Sequence, residues 1–110
     1  MTENNELQFE LIFCIINEGF AETVMDAAKE VGAKGGTVFK AHGTANPESE
    51  KFFHINVHPE KEVLMILVKK DIKDAVLHAI YKSGGLNTEG QGIAFSMPVE
   101  SVVGIEKSKN

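Results

Sequence analysis

The sequence predicts an α+β domain in which two helices cover one face of a four-stranded antiparallel sheet. Three observations predict it: segments with period-two hydrophobicity alternate with two helical segments, glycines separate the elements, and the order strand–helix–strand occurs twice. The chain has 110 residues, of which 43% are hydrophobic and 25% are charged, the usual mix of a globular protein. We therefore expect one domain over residues 1–110, with a core of about 7–105 between short polar tails.

The first half of the chain begins with a strand predicted over residues 7–16. Apolar residues recur there at period two on one face, and much of the other face is apolar too. The apolar residues of that second face are Ile12, Cys14 and Ile16. A helix is predicted over 20–31 from its helical spacing of apolar residues, and Gly32 is well placed to end it. A second strand is predicted over 37–41.

The second half repeats this order after a polar connection. The predicted segments are a loop over 43–51, an extended stretch over 52–58 that Pro59 interrupts, a strand over 62–68, a helix over 71–83, a strand over 93–97 and a short extra strand over 102–105. We expect Asp71 to be the N-cap of the second helix, because its carboxylate can accept a backbone N–H of the first turn. The adjacent glycines 84 and 85 are expected to stop that helix.

The resulting order βαββαβ is the ferredoxin-like pattern. Right-handed crossovers place both helices on one face of the sheet, so the chain leaves the other face uncovered. The first and third strands lie centrally in this fold, and both are apolar on both faces. An uncovered apolar face of several hundred Å² marks an interaction surface. We infer that the sheets of different subunits pack face to face.

Charge and composition exclude several classes of protein. The net charge is -5, all eleven basic residues are lysine, and arginine, the usual residue for recognising phosphates and bases, is missing. We therefore expect no nucleic-acid partner. The apolar runs are too short to cross a bilayer, so we expect no direct membrane insertion. The polar N-terminal residues and the lone Cys14, which excludes a disulfide framework, indicate a reducing cytoplasm.

Three stretches of the sequence resemble the PII nitrogen-regulatory family: Gly35–Val38, Phe53–His58 ahead of Lys61, and Gly90–Glu100. The resemblance covers roughly residues 9–105. It implies a ferredoxin-like homotrimer that binds adenine nucleotides in clefts between subunits. It also implies that a long loop between the second and third strands, here 43–53, contacts a target protein.

The resemblance further implies a cytoplasmic, non-enzymatic signal-transduction protein with a role in nitrogen regulation. By analogy with the family, a small effector would bind between subunits at seven positions. These positions are Gly35, Thr37, Gly43, Lys61, Gly90, Gln91 and Gly92. The glycine turn at 90–92 keeps backbone N–H groups that can accept an anion.

The chain departs from the family at the positions that hold phosphate. Gln91 stands in the place of an aspartate, Ile93 in that of a lysine, and Gly104 and Glu106 in those of two arginines. A charge-assisted hydrogen bond contributes roughly 1.5–3 kcal/mol, so losing three cations costs roughly 5–9 kcal/mol if the contributions add. That loss moves a micromolar site beyond millimolar. We therefore expect ATP binding to be weakened or lost, and the sequence leaves the identity of the effector open.

Two alternatives remain open from the sequence. His54 and His58 alternate along a stretch that, if extended, places both on one face, and two such imidazoles can share Zn, Cu or Ni. A trimeric ferredoxin-like metal-binding protein is therefore one alternative. A small ferredoxin-like enzyme that uses His42 or His54 is the other, although no nucleophile motif accompanies either histidine.

Overall fold

The computed structural model describes residues 8–44, 60–88 and 92–105. Four strands and two helices follow one another in the predicted order. The elements are β1 (Phe9–Asn17), α1 (Ala21–Glu30), β2 (Thr37–His42), β3 (Glu60–Lys69), α2 (Lys73–Lys82) and β4 (Gly92–Val99). A turn of 3-10 helix, Lys70–Ile72, joins β3 to α2. The prediction of a ferredoxin-like α+β fold is confirmed.

The sheet is antiparallel, and its strands lie in the order β2-β3-β1-β4. β1 and β3 are therefore central, as the sequence predicted, and β2 and β4 are the edges. In the register, Cys14 pairs with Leu64 on β3 and with Ala94 on β4. All three side chains consequently point to the face that the helices cover.

The core lies between the helices and this face of the sheet. Apolar side chains from β1, β3 and both helices are buried there. They are Ile12, Cys14, Ile16, Ala21, Val24, Ala28, Ala33, Leu64, Ile66, Val68, Val76 and Ile80. Burial raises the pKa of the Cys14 thiol to about 12, because the thiolate loses its water. Cys14 is thus a buried core thiol, as its apolar surroundings in the sequence indicated.

The opposite face of the sheet, which we call the open face, is apolar and partly exposed. Its side chains alternate with those of the core, and no described helix covers them. They include Phe9, Leu11, Phe13, Ile15, Met65, Leu67, Ile93, Phe95, Met97 and Val99. Val63 points to the same face but is buried. The rings of Phe13 and Phe95 stack with centroids 5.6 Å apart. The prediction that β1 and β3 are apolar on both faces is therefore confirmed.

Helix α1 ends as the sequence predicted. Gly32 has φ 116°, a left-handed conformation that favours glycine. Its N–H donates to the Lys29 carbonyl, and the Ala33 N–H donates to the Ala28 carbonyl. These two bonds form a Schellman motif, which satisfies carbonyls that the helix end would otherwise leave unpaired.

Two local predictions are wrong. Asp71 is not the N-cap of α2, because it lies inside the 3-10 turn and Ile72 takes the capping position without a side-chain cap bond. The chain makes this extra turn as it leaves β3, and the turn moves the start of the α-helix to Lys73. The predicted short strand over 102–105 is irregular, and Gly104, with φ 97°, breaks the extended conformation there.

Neither helix of the described residues is long and apolar enough to cross a membrane.

Candidate functional site

One end of the sheet carries a group of polar contacts, and we call it the loop end. Here β1 ends at Asn17, β2 ends at His42, and β3 begins at Glu60. Residues 43–59 connect β2 to β3, so this connection starts and finishes at the loop end. The Glu18 N–H donates to the Glu60 carbonyl over 3.2 Å and ties the turn after β1 to the start of β3.

Lys40, near the end of β2, forms an ion pair with the turn after β1. Its Nζ donates to Oε2 of Glu18 over 2.6 Å. The pKa of Lys40 is raised chiefly by this hydrogen bond and by the charge of Glu18, with a smaller contribution from Glu62. Lys40 is therefore a protonated ammonium group that already has a carboxylate partner.

Lys61 and Glu62 occupy neighbouring positions of β3 and point to opposite faces. Both bind the segment in which β1 ends and α1 begins. Lys61 Nζ donates to Oδ1 of Asn17 over 2.7 Å. Oε1 of Glu62 accepts the backbone N–H groups of Gly19 and Ala21, both over 3.2 Å. Phe20, the N-cap of α1, makes no side-chain cap bond. Glu62 thus supplies the acceptor for the helix start that the local sequence lacks.

Removing this acceptor is expected to destabilise the fold. We predict that Glu62→Ala lowers the free energy of unfolding by about 1–2 kcal/mol, the usual cost of losing a helix cap. Glu62→Gln keeps an amide oxygen in place and serves as the matched control, with a loss of less than about half that amount. Urea denaturation of both variants measures the difference. Equal losses would show that the carbonyl oxygen at this position does not cap α1.

The predicted effector positions on the β2 side are spread along that edge. Gly35 precedes β2, Thr37 begins it opposite Met65, and Gly43 follows its end. Gly43 is six positions after Thr37, so the two residues lie about 20 Å apart along an extended strand. Lys61 pairs with Ala41 in the register and belongs to the loop end with Gly43.

Gly92, the first residue of β4, lies across the sheet from these positions. It pairs with Ile16 on β1, which pairs with Glu62 on β3, which pairs with Lys40 on β2. Three strand spacings make this distance about 14 Å. One chain therefore does not bring the β2-side and β4-side positions together. Gly90 and Gln91 lie outside the described residues.

The two described histidines lie on different elements of the fold. His42 ends β2 and is exposed, and His78 is exposed on α2. His54 and His58 lie outside the described residues. Among residues 8–44, 60–88 and 92–105, no three histidine, cysteine, aspartate or glutamate side chains come together to hold a metal ion.

A shallow apolar groove of about 330 Å³ lies between the end of α2 and the start of β4. Its lining consists of Leu77, Tyr81, Leu86, Gly92, Ile93 and Ala94. None of these described lining residues has a charged side chain. A ligand that contacts Gly92 from this side would therefore meet apolar surface, not a phosphate-binding cation.

Sequence reasoning missed the polar contacts that tie the loop end to α1. The Glu62 oxygen and the two N–H groups that it accepts are 41 and 43 residues apart along the chain. A pattern of residues close together in the sequence does not predict a contact over that separation. The sequence held one indication, the absence of a capping residue. Phe20 stands where a capping Ser, Thr, Asp or Asn is usual, so the start of α1 required an acceptor from elsewhere.

Many solved structures are similar to this chain, and two of them show the extent of the likeness. The crystal structure of Arabidopsis thaliana PII bound to citrate has a TM-score of 0.64 and 25% identity, over 84% of this chain and 78% of that chain. A PII-like signalling protein from Thermus thermophilus also has a TM-score of 0.64. Its identity is 16%, over 84% of this chain and 87% of that chain, so it supports the fold alone.

No curated protein sequence matches the chain. The family model described as nitrogen regulatory protein P-II does match, and it spans residues 9–109, nearly the whole sequence. The structural likeness points to the same family, and the element order is the one that the resemblance implied. The chain belongs to the P-II family of signal-transduction proteins.

Proposed function

We propose that this protein is a non-enzymatic, cytoplasmic regulator that forms a homotrimer and binds a small effector in clefts between its subunits. The domain comprises the whole chain, 1–110, and the connection 43–53 contacts a target protein. The observation that carries the proposal is the open face: an apolar sheet surface that the described helices leave uncovered. Such a surface marks an interaction site in a soluble protein.

The positions of the predicted effector residues support association in a ring. Gly35, Thr37 and Gly43 lie on the β2 edge, whereas Gly92 lies on the β4 edge. Only a second copy can place a β4 edge beside a β2 edge. Contact between two different edges is heterologous, and heterologous contacts form rings such as trimers when the rotation between neighbouring copies closes on itself.

Effector binding is supported by the family and by one of its members. The solved structure of Arabidopsis thaliana PII holds citrate, a small carboxylate. In this chain, the partner of Lys61 among the described residues is the neutral amide of Asn17. A cation in that state can exchange its partner for an effector oxygen at low cost.

The metal-binding and enzyme alternatives stay predictions of the sequence. The histidines on which the metal alternative depends, His54 and His58, lie outside the described residues. The regulator is the proposal that the described geometry supports best.

A ligand screen by thermal shift tests the proposed function. Nucleotides, small carboxylates such as citrate, and divalent metal ions are each added to the unmodified protein. A ligand at 100 times its dissociation constant stabilises the fold by about 2.7 kcal/mol. We expect stabilisation by a small organic ligand. Stabilisation by a divalent metal ion alone would instead favour the metal-binding alternative.

ATP itself is expected to bind at millimolar strength or not at all. Ile93 is exposed on β4 at the place where the family has a phosphate-binding lysine, and Lys40 is held by Glu18. The net charge of -5 disfavours a polyanion further. Titration calorimetry on the unmodified protein measures this affinity. A dissociation constant in the low micromolar range would contradict the prediction and would direct attention to Lys34 and Lys61.

A further inference from the structure

We propose that neighbouring subunits join their sheets edge to edge: β2 of one copy pairs antiparallel with β4 of the next, with Phe39 opposite Ile93. This inference rests on the proposed function, because it concerns the contact between subunits of the proposed ring. It adds the strand segments that meet in that contact and their register. The loop end, with Lys61 and Gly43, lies beyond the paired segment and stays open to an effector.

Both edges of the sheet carry exposed apolar side chains at the same level. The register places Phe39 of β2 level with Ile93 of β4, through Val63 and Ile15 of the two central strands. Phe39 is 44% exposed and Ile93 is 59% exposed, and both point to the open face. Each edge therefore leaves apolar surface in water, and contact between the two edges removes it from water.

The geometry of a closed ring brings equal levels together. The open faces of the subunits cover one another when they turn towards the ring axis, which leaves the helices outside and the sheet edges in contact. A closed ring has rotation without rise, so with the strands along the ring axis each level of β4 meets the same level of β2. β2 and β1 are both antiparallel to β3, and β4 is antiparallel to β1. The pairing of β2 with β4 is therefore antiparallel.

The position of proline on the β4 edge supports this segment. Proline has no backbone N–H to donate, and on an edge strand it hinders pairing with a further strand. β4 carries Pro98 three positions after Phe95. β2 begins at Thr37, which is level with Phe95, so β2 of the next copy does not reach the proline. The part of β4 that β2 meets, residues 92–95, contains no proline.

The helix side of the same contact provides a second apolar fit. Val38 is level with Ala94, and both point to the helix side of the sheet. Val38 is 46% exposed, and Ala94 lines the apolar groove beside Tyr81. In this register Val38 of one copy lies over the groove of the next, while Phe39 covers Ile93 on the inner side. One strand pair thus buries apolar surface on both sides of the sheet.

Cysteine cross-linking tests this register. The first test pair is Phe39→Cys with Ile93→Cys, and the control pair is Phe39→Cys with Met97→Cys. Met97 lies on the same face of β4 and is 40% exposed, but it is four positions, about 13 Å, further along the strand. Within one chain Phe39 and Ile93 are three strand spacings apart, about 14 Å, so a disulfide between these positions requires two chains. The native Cys14 is buried and common to all variants.

Val38→Cys with Ala94→Cys is a second test pair in the same register. Successive antiparallel pairs alternate between hydrogen-bonded and non-hydrogen-bonded geometry, and the Cα separation of both kinds lies within the range of a disulfide. After mild oxidation, a non-reducing gel separates single chains from linked dimers and trimers. We expect each test pair to give at least about ten-fold more linked chain than the control pair, because only the test positions come within disulfide range.

Light scattering on the reduced variants and on the unmodified protein separates a wrong register from a wrong assembly. A trimer mass without an excess of linked chain in either test pair would overturn the register and leave the proposed trimer intact. Equal linking of the test and control pairs would overturn it as well. The mass of a single chain for the unmodified protein would contradict the proposed assembly itself.

Discussion

Phe95→Asp is expected to dissociate the assembly into single chains. Phe95 lies on the open face, stacks on Phe13 and is 39% exposed in one chain. The proposed trimer buries this exposed part against another subunit. Burying an unpaired carboxylate there costs several kcal/mol of the free energy of association, enough to separate the subunits. Sedimentation velocity at micromolar concentration measures the outcome.

Phe20→Asp is the matched control for this variant. Phe20 has nearly the same exposure, 41%, but it stands at the start of α1 and away from the open face. A carboxylate at this exposed position stays in water and is not buried against another subunit. We expect Phe20→Asp to keep the assembly of the unmodified protein. Dissociation of both variants, or of neither, would show that the open face is not the subunit interface.

Gly92→Ala is expected to lower the free energy of unfolding by about 3 kcal/mol or more. A Cβ atom at this position would clash with the Ile15 carbonyl oxygen and would lie 2.8 Å from Cγ2 of Ile16. The φ angle of 153° adds strain for any residue with a side chain. Because the nearest atom belongs to the backbone of β1, the start of β4 must move away from its partner strand.

Gly35→Ala is the control for the glycine prediction. A Cβ atom there meets nothing within 4 Å, and Gly35 does not have a left-handed conformation. We expect its stability to stay within about 0.5 kcal/mol of the unmodified protein, as for most surface changes. Both glycines are predicted effector positions, so urea denaturation separates a structural requirement from a functional one. A loss of less than about 1 kcal/mol for Gly92→Ala would contradict the steric account.

The fold was predictable where hydrophobic periodicity was strong. β1 shows apolar residues on both faces, and the structure buries Ile12 under the helices and leaves Phe13 on the open face. Gly32 ended α1 as expected, because only a residue without a side chain takes φ 116° at no cost. The prediction for Asp71 was wrong because aspartate occurs both at helix N-caps and inside 3-10 turns. The residue type alone does not distinguish these two positions.

The candidate site was less predictable, because it depends on contacts between distant parts of the chain. Family resemblance pointed to Lys61 and Gly92, but the separation of the two sheet edges appears only when the strand order is known. The contact between Lys40 and Glu18 spans 22 residues, and neither residue belongs to a motif. Such contacts depend on how the strands pair and on which side chains are buried. Patterns within single segments of the sequence predict neither.

The molar mass of the unmodified protein in solution tests the central claim most directly, since both the covered open face and the clefts between edges require association. Light scattering coupled to size-exclusion chromatography, at low micromolar concentration and without added ligand, gives this mass. The proposed homotrimer predicts three times the chain mass of 12.0 kDa. A mass equal to that of one chain would contradict the subunit interface, and with it the effector clefts that the interface creates.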